Sequence, residues 1–387
     1  MPSKRPNSDA PRHGPTRRPA SASGSSSRPN ELGELGRVLA INMGGTSTKL
    51  AIFSGGNIVH EENLHYRPPE DAAHVIDELP GRLEQVANFL RVIGAKLNKF
   101  SAVVARGGLL APLAAGVYRI NEKMCSDLKA ARYGEHPSNL CALVASELVS
   151  GTEVPAFIAD PVVVDEFPEV ARVSGFPGIT RASRLHALNI RAVAKRAAES
   201  LGMPFKKANF VVAHLGSGFS IATIRQGRIV DNADALLGEG PFSVERAGVL
   251  PLRGVMKLAY TYPEEELKRL LSKKSGLAGY LGTNDFTRVL EMVAGGDDKA
   301  GLIYRAMVYQ VAKNIGMYAV PLAGKHHAVI ITGGLAHSRQ LIADLKTYIR
   351  WLGRILVYPG ENEMEALAAA AYAALSGEER IREYTGG

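Results

Sequence analysis

The sequence has few cysteines, no long apolar run and no P-loop motif. Its two cysteines, Cys125 and Cys141, have neither metal-binding nor redox spacing, which favours free thiols in a reducing cytoplasm. No stretch reaches the roughly 18 consecutive apolar residues of a transmembrane helix, so we expect no membrane partner. The spacing GxxxxGK[ST] is absent, which excludes the strand-to-helix P-loop, and any phosphate site must be built differently.

The excess of basic residues is concentrated near the N-terminus. The 387 residues carry a formal net charge of +8. Residues 1–30 contain six Lys or Arg and one Asp, a net +5, so the remaining chain carries only +3 (8 − 5). We therefore expect no nucleic-acid partner for the folded body. Binding through the basic segment is the alternative, and a strong loss of affinity with rising salt would support it.

The length is sufficient for two domains after a short extension. Residues 1–35 are rich in Pro, Ser, Gly and Arg, which predicts a disordered, passive extension. It has no apolar h-region of a secretory signal, and its scattered prolines disfavour the amphipathic helix of a transit peptide. We predict a first domain over 36–165 that is completed by a C-terminal helix at about 366–387, and a second domain over 166–365.

Two stretches share a glycine-turn design. Arg37–Phe53 is predicted to form a strand, a turn at Gly44 and Gly45, and a returning strand. Hydroxyl side chains, backbone N–H groups and one ammonium near this turn suit a phosphate, although an ordinary β-turn has a similar pattern. Residues 210–229 repeat the design about 170 residues later. We therefore predict a duplicated fold whose halves hold nucleotide phosphates between them.

Three single residues are candidates for a catalytic or binding role, and each also has an alternative structural interpretation. Arg106 follows a buried strand and precedes two glycines, which suits an anion site, or it forms a surface ion pair. Asp160 ends another strand, where α/β proteins place functional acids, or it begins a turn. His186 lies near the start of a helix predicted over 180–201, and a lone histidine is more often structural.

The second half adds loops and a glycine pair. A long loop over 238–251 carries Arg246, and long loops that contain glycine are often functional. We predict another glycine-rich loop over 276–283 and a buried strand over 328–334 that ends in two glycines. A final helix is predicted over 361–375. Its early acids suit either the helix dipole or Mg²⁺.

Eight ordered motifs resemble the acetokinase family, and within it the butyrate kinases. They cover essentially residues 37–384 and are INMGGTSTK, VVARGG, GEHPSN, HLGSG, GEGPFSVERAG, GLAGYLGTND, ITGG and VYPGENEMEALA. The resemblance implies the α/β fold of acetate kinase, sugar kinases, the Hsp70 ATPase domain and actin. That fold has two duplicated mixed-sheet domains and a nucleotide cleft between them.

The resemblance also implies a reaction and its partners. ATP, with Mg²⁺, would phosphorylate butanoate to butanoyl phosphate by in-line transfer in a cytoplasmic enzyme that forms at least a dimer. Isobutyrate, propionate or acetate are alternative substrates. A non-catalytic ATP-binding protein of the same fold is the alternative function. A carboxylate is already ionised at neutral pH and needs no strong general base, so charge neutralisation would be the main requirement.

Site roles follow from the resemblance position by position. It implies that His186 stabilises the transferring phosphoryl group and that Arg246 neutralises the substrate anion. Arg106 and Asp160 are the other catalytic positions that it implies. Glu363, together with Asn42, would hold Mg²⁺. The nucleotide-binding positions would be Asn42, Ser47, Lys49, His214, Gly216, Gly218, Gly333 and Gly334.

Several positions depart from the family pattern. Gly45 stands where most relatives have serine, which removes one hydroxyl from the first turn, and Ser217 stands where relatives have glycine or asparagine. Further departures occur in the loop around Arg246, at Val244, Ala247 and Val249. These changes lie next to the implied chemistry, so they bear on rate and substrate preference more than on the reaction type.

Overall fold

The computed structural model describes residues 36–70, 72–234 and 237–387. The segment 1–35, predicted to be disordered, lies outside the described residues. The strands, in chain order, are β1 (Arg37–Met43), β2 (Ser47–Ser54), β3 (Asn57–His65), β4 (Phe100–Arg106), β5 (Val117–Arg119), β6 (Ala156–Ala159), β7 (Phe210–Leu215), β8 (Phe219–Arg225), β9 (Arg228–Asn232), β10 (Ala328–Gly333), β11 (Ile355–Pro359) and β12 (Ile381–Glu383).

The strands form two mixed sheets with one shared plan. The first has the order β12-β5-β6-β4-β1-β2-β3 and the second has the order β11-β10-β7-β8-β9. Each contains an antiparallel meander of three strands, β1 to β3 or β7 to β9. Each then adds two parallel strands beside the first strand of that meander. The predicted α/β fold with duplicated mixed sheets is therefore confirmed.

Helices cover the faces of both sheets. They are α1 (Leu79–Val92), α2 (Glu122–Lys129), α3 (Asn139–Val149), α4 (Glu169–Arg172), α5 (Ala187–Ser200), α6 (Leu252–Thr261), α7 (Glu264–Lys273), α8 (Gly276–Leu281), α9 (Phe286–Ala294), α10 (Asp298–Ala319), α11 (Arg339–Ile349) and α12 (Glu363–Leu375). None of these helices is long and apolar enough to cross a membrane.

Two helices, α5 and α12, lie between the sheets. Apolar residues of α12 such as Leu367 pack on the first sheet in a cluster that includes Val38 and Phe53. Apolar residues of α5 such as Ile190 pack on the second sheet, whereas Leu188 of the same helix joins the cluster around α12. Because α5 packs on the second sheet and on α12, and α12 packs on the first sheet, the apolar side chains of these two helices hold the two halves of the molecule together.

Three sequence predictions are corrected by the structure. The helix predicted over 180–201 begins only at Ala187, and before it the side chain of Ser183 bonds instead to Val164 and Asn232. The region 276–283, predicted to be a loop, contains the short helix α8. The last helix begins at Glu363 instead of residue 361, because Asn362 has a left-handed φ of 41°.

The topology brings the ends of several strands to one edge in each sheet. In the first sheet β1, β4 and β6 are parallel, so their carboxyl ends lie together. In the second sheet the same holds for β7, β10 and β11. The turns that follow β1 and β7 are the two glycine turns, and Arg106 is the last residue of β4. Ligand sites in α/β proteins lie at such edges.

Candidate active site

Residues 44–46 form the turn between β1 and β2 and carry the first predicted phosphate site. Asn42 and Lys49 are partners across the two strands, so their side chains lie on the same face of the sheet. Asn42 is buried, whereas Ser47 and Lys49 are half-buried. The backbone N–H of Gly44 donates to the carbonyl of Ser47 at 2.9 Å, which closes the turn. An amide, a hydroxyl and an ammonium are therefore held beside one turn.

This turn is held from behind by Arg82 of α1, a residue that no sequence motif marks. Its side chain is fully buried. Its guanidinium donates to the carbonyl oxygens of Gly44 at 2.8 Å, Gly45 at 3.0 Å and Ser47 at 3.0 Å. The carboxylate of Glu78 accepts from the same group at 2.9 Å. Because one planar group binds three carbonyls, it restrains the orientation of three peptide units.

Residues 216–218 form the equivalent turn between β7 and β8. A Cβ at Gly218 would collide with the guanidinium of Arg246. A Cβ at Gly216 would lie 3.1 Å from the carboxylate of Glu361. The absence of a side chain at these glycines therefore leaves room for a basic and an acidic side chain to approach this turn from two directions.

Strand β10 ends in the predicted glycine pair, and its two members differ. Gly333 has a φ of 91°, and a Cβ there would collide with the carbonyl oxygen of Leu215 at the end of β7. Gly334 begins a 3₁₀ turn, and a Cβ there would have no described atom within 4 Å. Gly333 is thus required by packing between strands, while Gly334 leaves open surface next to the second turn.

An acidic segment, residues 360–363, connects the two turns. Nδ2 of Asn42 donates to Oε2 of Glu363 at 2.5 Å, and Nη1 of Arg106 lies 3.4 Å from Oε1. Glu361 points instead toward Gly216 of the second turn. Burial and the neighbouring charge of Glu363 raise the pKa of Glu361, and nearby basic side chains oppose this rise. The two acids are therefore divided between the two turns.

His186 and His214 stack beside the second turn, with ring centroids 4.1 Å apart and planes inclined by 15°. Burial and the neighbouring ring lower the pKa of His186 well below its ordinary value. The positive charges of Arg106 and Arg246 lower it further. Burial, and after it the charge of Arg106, lowers the pKa of His214 to about 3. Both imidazoles are therefore neutral at physiological pH.

A third histidine, His136, lies in the same field of positive charge. Burial lowers the pKa of His136 to about 4, and the charges of Arg106 and Arg246 contribute after it. Arg106 belongs to the first sheet, whereas Arg246 belongs to the loop after the second sheet. Because both act on His136 and on His186, guanidinium groups from the two halves converge on one region, which is suited to an anion.

Comparison with protein families matches part of the chain. Residues 178–356 match the family described as the acetokinase family. This segment is therefore similar to the acetokinase family.

Solved structures extend the likeness to the whole fold. The acetate kinase of Porphyromonas gingivalis has a TM-score of 0.72 and 20% identity, covering 87% of this chain and 99% of that one. A propionate kinase from Francisella tularensis has a TM-score of 0.70 and 20% identity, with 87% and 98% covered. The acetate kinase of Entamoeba histolytica has a TM-score of 0.70 and 17% identity, with 86% and 98% covered. The predicted acetate kinase fold is confirmed.

The acetokinase-family segment contains only part of the candidate site. It includes both stacked histidines, the second glycine turn, Arg246 and the glycine pair of β10. The first glycine turn, Arg106 and Glu363 lie outside the matched residues. Contacts across the molecule, such as that of Glu361 with the second turn, bring these parts together.

Asp160 stands apart from this group of side chains. It is buried at the end of β6, with a left-handed φ of 38°. Its Oδ1 accepts from the backbone N–H of Gly116 at 2.7 Å, and its Oδ2 accepts from Nε of Arg191 at 2.9 Å. Among the residues that the structure describes, these contacts tie Asp160 to α5 and to the start of β5. They do not link it to Arg106 or Arg246.

Proposed function

We propose that this protein transfers the terminal phosphoryl group of ATP to the carboxylate of a short-chain acid, and that the acid is butanoate. The observation that carries the proposal is the convergence of Arg106 and Arg246 on His136 and His186. Phosphoryl transfer to a carboxylate brings two anions together, so it requires positive charge at the meeting point. The match of residues 178–356 to the acetokinase family supports the same reaction class.

The protonation states support this chemistry. A carboxylate nucleophile is already ionised, so no group has to remove a proton from it. Both stacked histidines are neutral, and the carboxylate of Asp160 is already bound to Arg191. We therefore propose that His186 donates a hydrogen bond to the transferring group, that Arg246 and Arg106 neutralise charge, and that Asp160 positions α5.

The two glycine turns would bind the phosphates of ATP from opposite sides. Asn42, Ser47 and Lys49 would act at the first turn. The backbone at Gly216 and Gly218 would act at the second, and the fully buried ring of His214 would support that turn beside Gly216. The glycine pair at the end of β10 would lie on the adenosine side. The half-buried ammonium of Lys49 and the open backbone at Gly334 support these roles.

Mg²⁺ fits the acidic segment if the phosphates supply most of its ligands. The described residues contain no group of three or more His, Cys, Asp or Glu that could hold a metal ion. Mg²⁺ commonly uses one or two carboxylates together with substrate phosphates and water. Glu363 would hold it, with Asn42 alongside, because Glu363 is already directed at the first turn by its bond to Asn42. When bound, the ion would neutralise charge on the phosphates.

Butanoate is proposed because GEGPFSVERAG and GEHPSN resemble the butyrate kinase forms of these motifs. The test is an acyl-hydroxamate assay on purified protein with ATP, Mg²⁺ and acetate, propionate, butyrate or isobutyrate. Two extra methylenes in an apolar pocket give a kcat/KM for butyrate at least about 10-fold above that for acetate. A ratio at or below one would refute butanoate, and no hydroxamate with any acid would refute the kinase. Arg246→Lys protein is the negative control.

A further inference from the structure

The hydrogen bonds around the stacked histidines determine which ring nitrogen carries the proton in each. Ser220 of β8 is fully buried. Its Oγ lies 2.8 Å from Nδ1 of His186 and 3.3 Å from the backbone nitrogen of the same residue. The backbone N–H can only donate, so Oγ accepts from it. Within the described residues Oγ has no other acceptor, so its own proton points to Nδ1. The imidazole proton of His186 is therefore on Nε2.

Asn189 imposes the opposite state on His214. Its Nδ2 donates to the backbone carbonyl of Glu361, and a carbonyl oxygen can only accept, which fixes the orientation of the amide. The Oδ1 of Asn189 therefore faces Nδ1 of His214, at 3.0 Å. Because an amide oxygen cannot donate, Nδ1 of His214 must carry the proton. Its Nε2 is then a bare acceptor.

The two Nε2 atoms have different surroundings. His186 is half-buried, and no described side chain hydrogen bonds to its Nε2, so this N–H is available to a ligand. Nε2 of His214 is buried without a hydrogen-bond partner in the described part of the chain and lies 3.7 Å from the carboxylate of Glu361. Of the two stacked neutral rings, His186 thus presents an N–H donor at Nε2 and His214 presents an unprotonated acceptor at Nε2.

We propose that Ser220 is a positioning residue that holds His186 in its Nε2–H state, while Asn189 holds His214 in its Nδ1–H state. His186 then offers a hydrogen-bond donor to the anionic phosphoryl group without becoming charged. The assignment of the two protons depends only on the contacts above. Their use in phosphoryl transfer rests on the proposed function.

The first test reads the protons directly and requires no activity. Protein labelled with ¹⁵N in its histidines is studied by long-range ¹H–¹⁵N correlation in the absence of nucleotide. His186→Gln and His214→Gln variants assign the two rings. We expect the unprotonated nitrogen to be Nδ1 in His186 and Nε2 in His214. A proton on Nδ1 of His186, or the same state in both rings, would overturn the proposal.

The second test removes the hydroxyl. In Ser220→Ala, His186 should show an exchange-averaged signal from both states, and kcat should fall at least about 10-fold with KM for ATP within about 2-fold. Ser220→Thr should restore both readouts, because it returns a hydroxyl on Cβ. The matched control is Ser183→Ala, which removes a buried hydroxyl bonded to Val164 and Asn232 and should leave the histidine signals and kcat unchanged.

The outcomes separate this inference from the proposed function. If the histidine signals match but no acid is phosphorylated, the protonation states stand and the kinase proposal fails. If the enzyme phosphorylates carboxylates and His186 carries its proton on Nδ1, only the role of Ser220 fails. If Ser220→Ala does not fold, the spectrum of the wild-type protein still decides the assignment.

Discussion

Replacing Arg82 with methionine tests whether the first glycine turn depends on one buried side chain. The change removes the donors to the carbonyls of Gly44, Gly45 and Ser47. Gly45 is exposed and Gly44 half-buried, so water can replace much of what these carbonyls lose. The carboxylate of Glu78 cannot recover in this way, because it is buried and its Oε2 loses both N–H donors of Arg82. A buried charge left without its partner costs about 3–5 kcal/mol.

The double variant Arg82→Met with Glu78→Leu separates stability from turn geometry. Replacing a buried ion pair with apolar side chains is often close to neutral, so most of the lost free energy of unfolding should return. The carbonyls of the turn remain without the guanidinium that binds them. We therefore expect kcat/KM for ATP to stay at least about 10-fold below the wild-type value in both variants. Urea unfolding followed by far-ultraviolet circular dichroism measures the first quantity, and the hydroxamate assay measures the second.

Two results would refute this reasoning. A loss below about 1 kcal/mol in the single variant would mean that the pair with Glu78 is not buried as described. Wild-type activity in the double variant would mean that the turn keeps its shape without Arg82. The control is Arg91→Lys on the same helix. Among the described residues this exposed side chain bonds only to Asn88, so a change within about 0.5 kcal/mol is expected.

Further predictions concern other parts of the molecule. Deletion of residues 1–35 should leave the melting temperature and activity nearly unchanged, and a large drop in melting temperature would contradict the passive role. Arg246→Lys should lower kcat/KM at least about 100-fold, roughly 2.7 kcal/mol, because a planar fork becomes a point charge; near-wild-type activity would remove Arg246 from the site. The pKa of His136 is lowered from 6.5 to about 4. As the pH falls, this histidine is therefore protonated in the unfolded state before it is protonated in the folded state. The free energy of unfolding should fall through this range by at most about 1.4 kcal/mol per pH unit. His136→Asn should therefore show a shallower fall in urea midpoint between pH 7 and pH 5, and an unchanged slope would refute this. Burial raises the pKa of the Cys141 thiol to about 11, so iodoacetamide at pH 7.5 should modify the half-buried Cys125 first, as measured by mass spectrometry of peptides.

Features encoded locally could be predicted from the sequence. Alternating and continuous apolar runs predicted the strands, and glycine predicted the two turns, because strand periodicity and turn composition depend on a few adjacent residues. Repetition of one pattern predicted the duplicated sheets. The ordered motifs identified Arg246 and the stacked histidines as candidates, which the structure then places beside the second turn.

Features set by distant partners could not be predicted. Asn189 orients His214 only because the carbonyl of residue 361, 172 positions away in the sequence, fixes its amide. Arg82 lies in a helix pattern that also suits a surface arginine, and its role depends on a turn 37 positions earlier. The residue pattern alone left open which early acid of the last helix faces the first turn, whereas the family resemblance implied Glu363. The bond to Asn42 distinguishes Glu363 from Glu361.

The position of α12 affects how the chain folds during synthesis. The first sheet needs α12 to cover one face and β12 to complete its edge beside β5. About 220 residues separate β6 from β12, which a ribosome adds in about 10–45 s at roughly 5–20 residues per second. During that interval Val38 and Phe53 lack the side chains that later bury them. The first half of the nascent chain therefore exposes an apolar face until α12 emerges. Chaperones that bind such faces should associate with it during this interval.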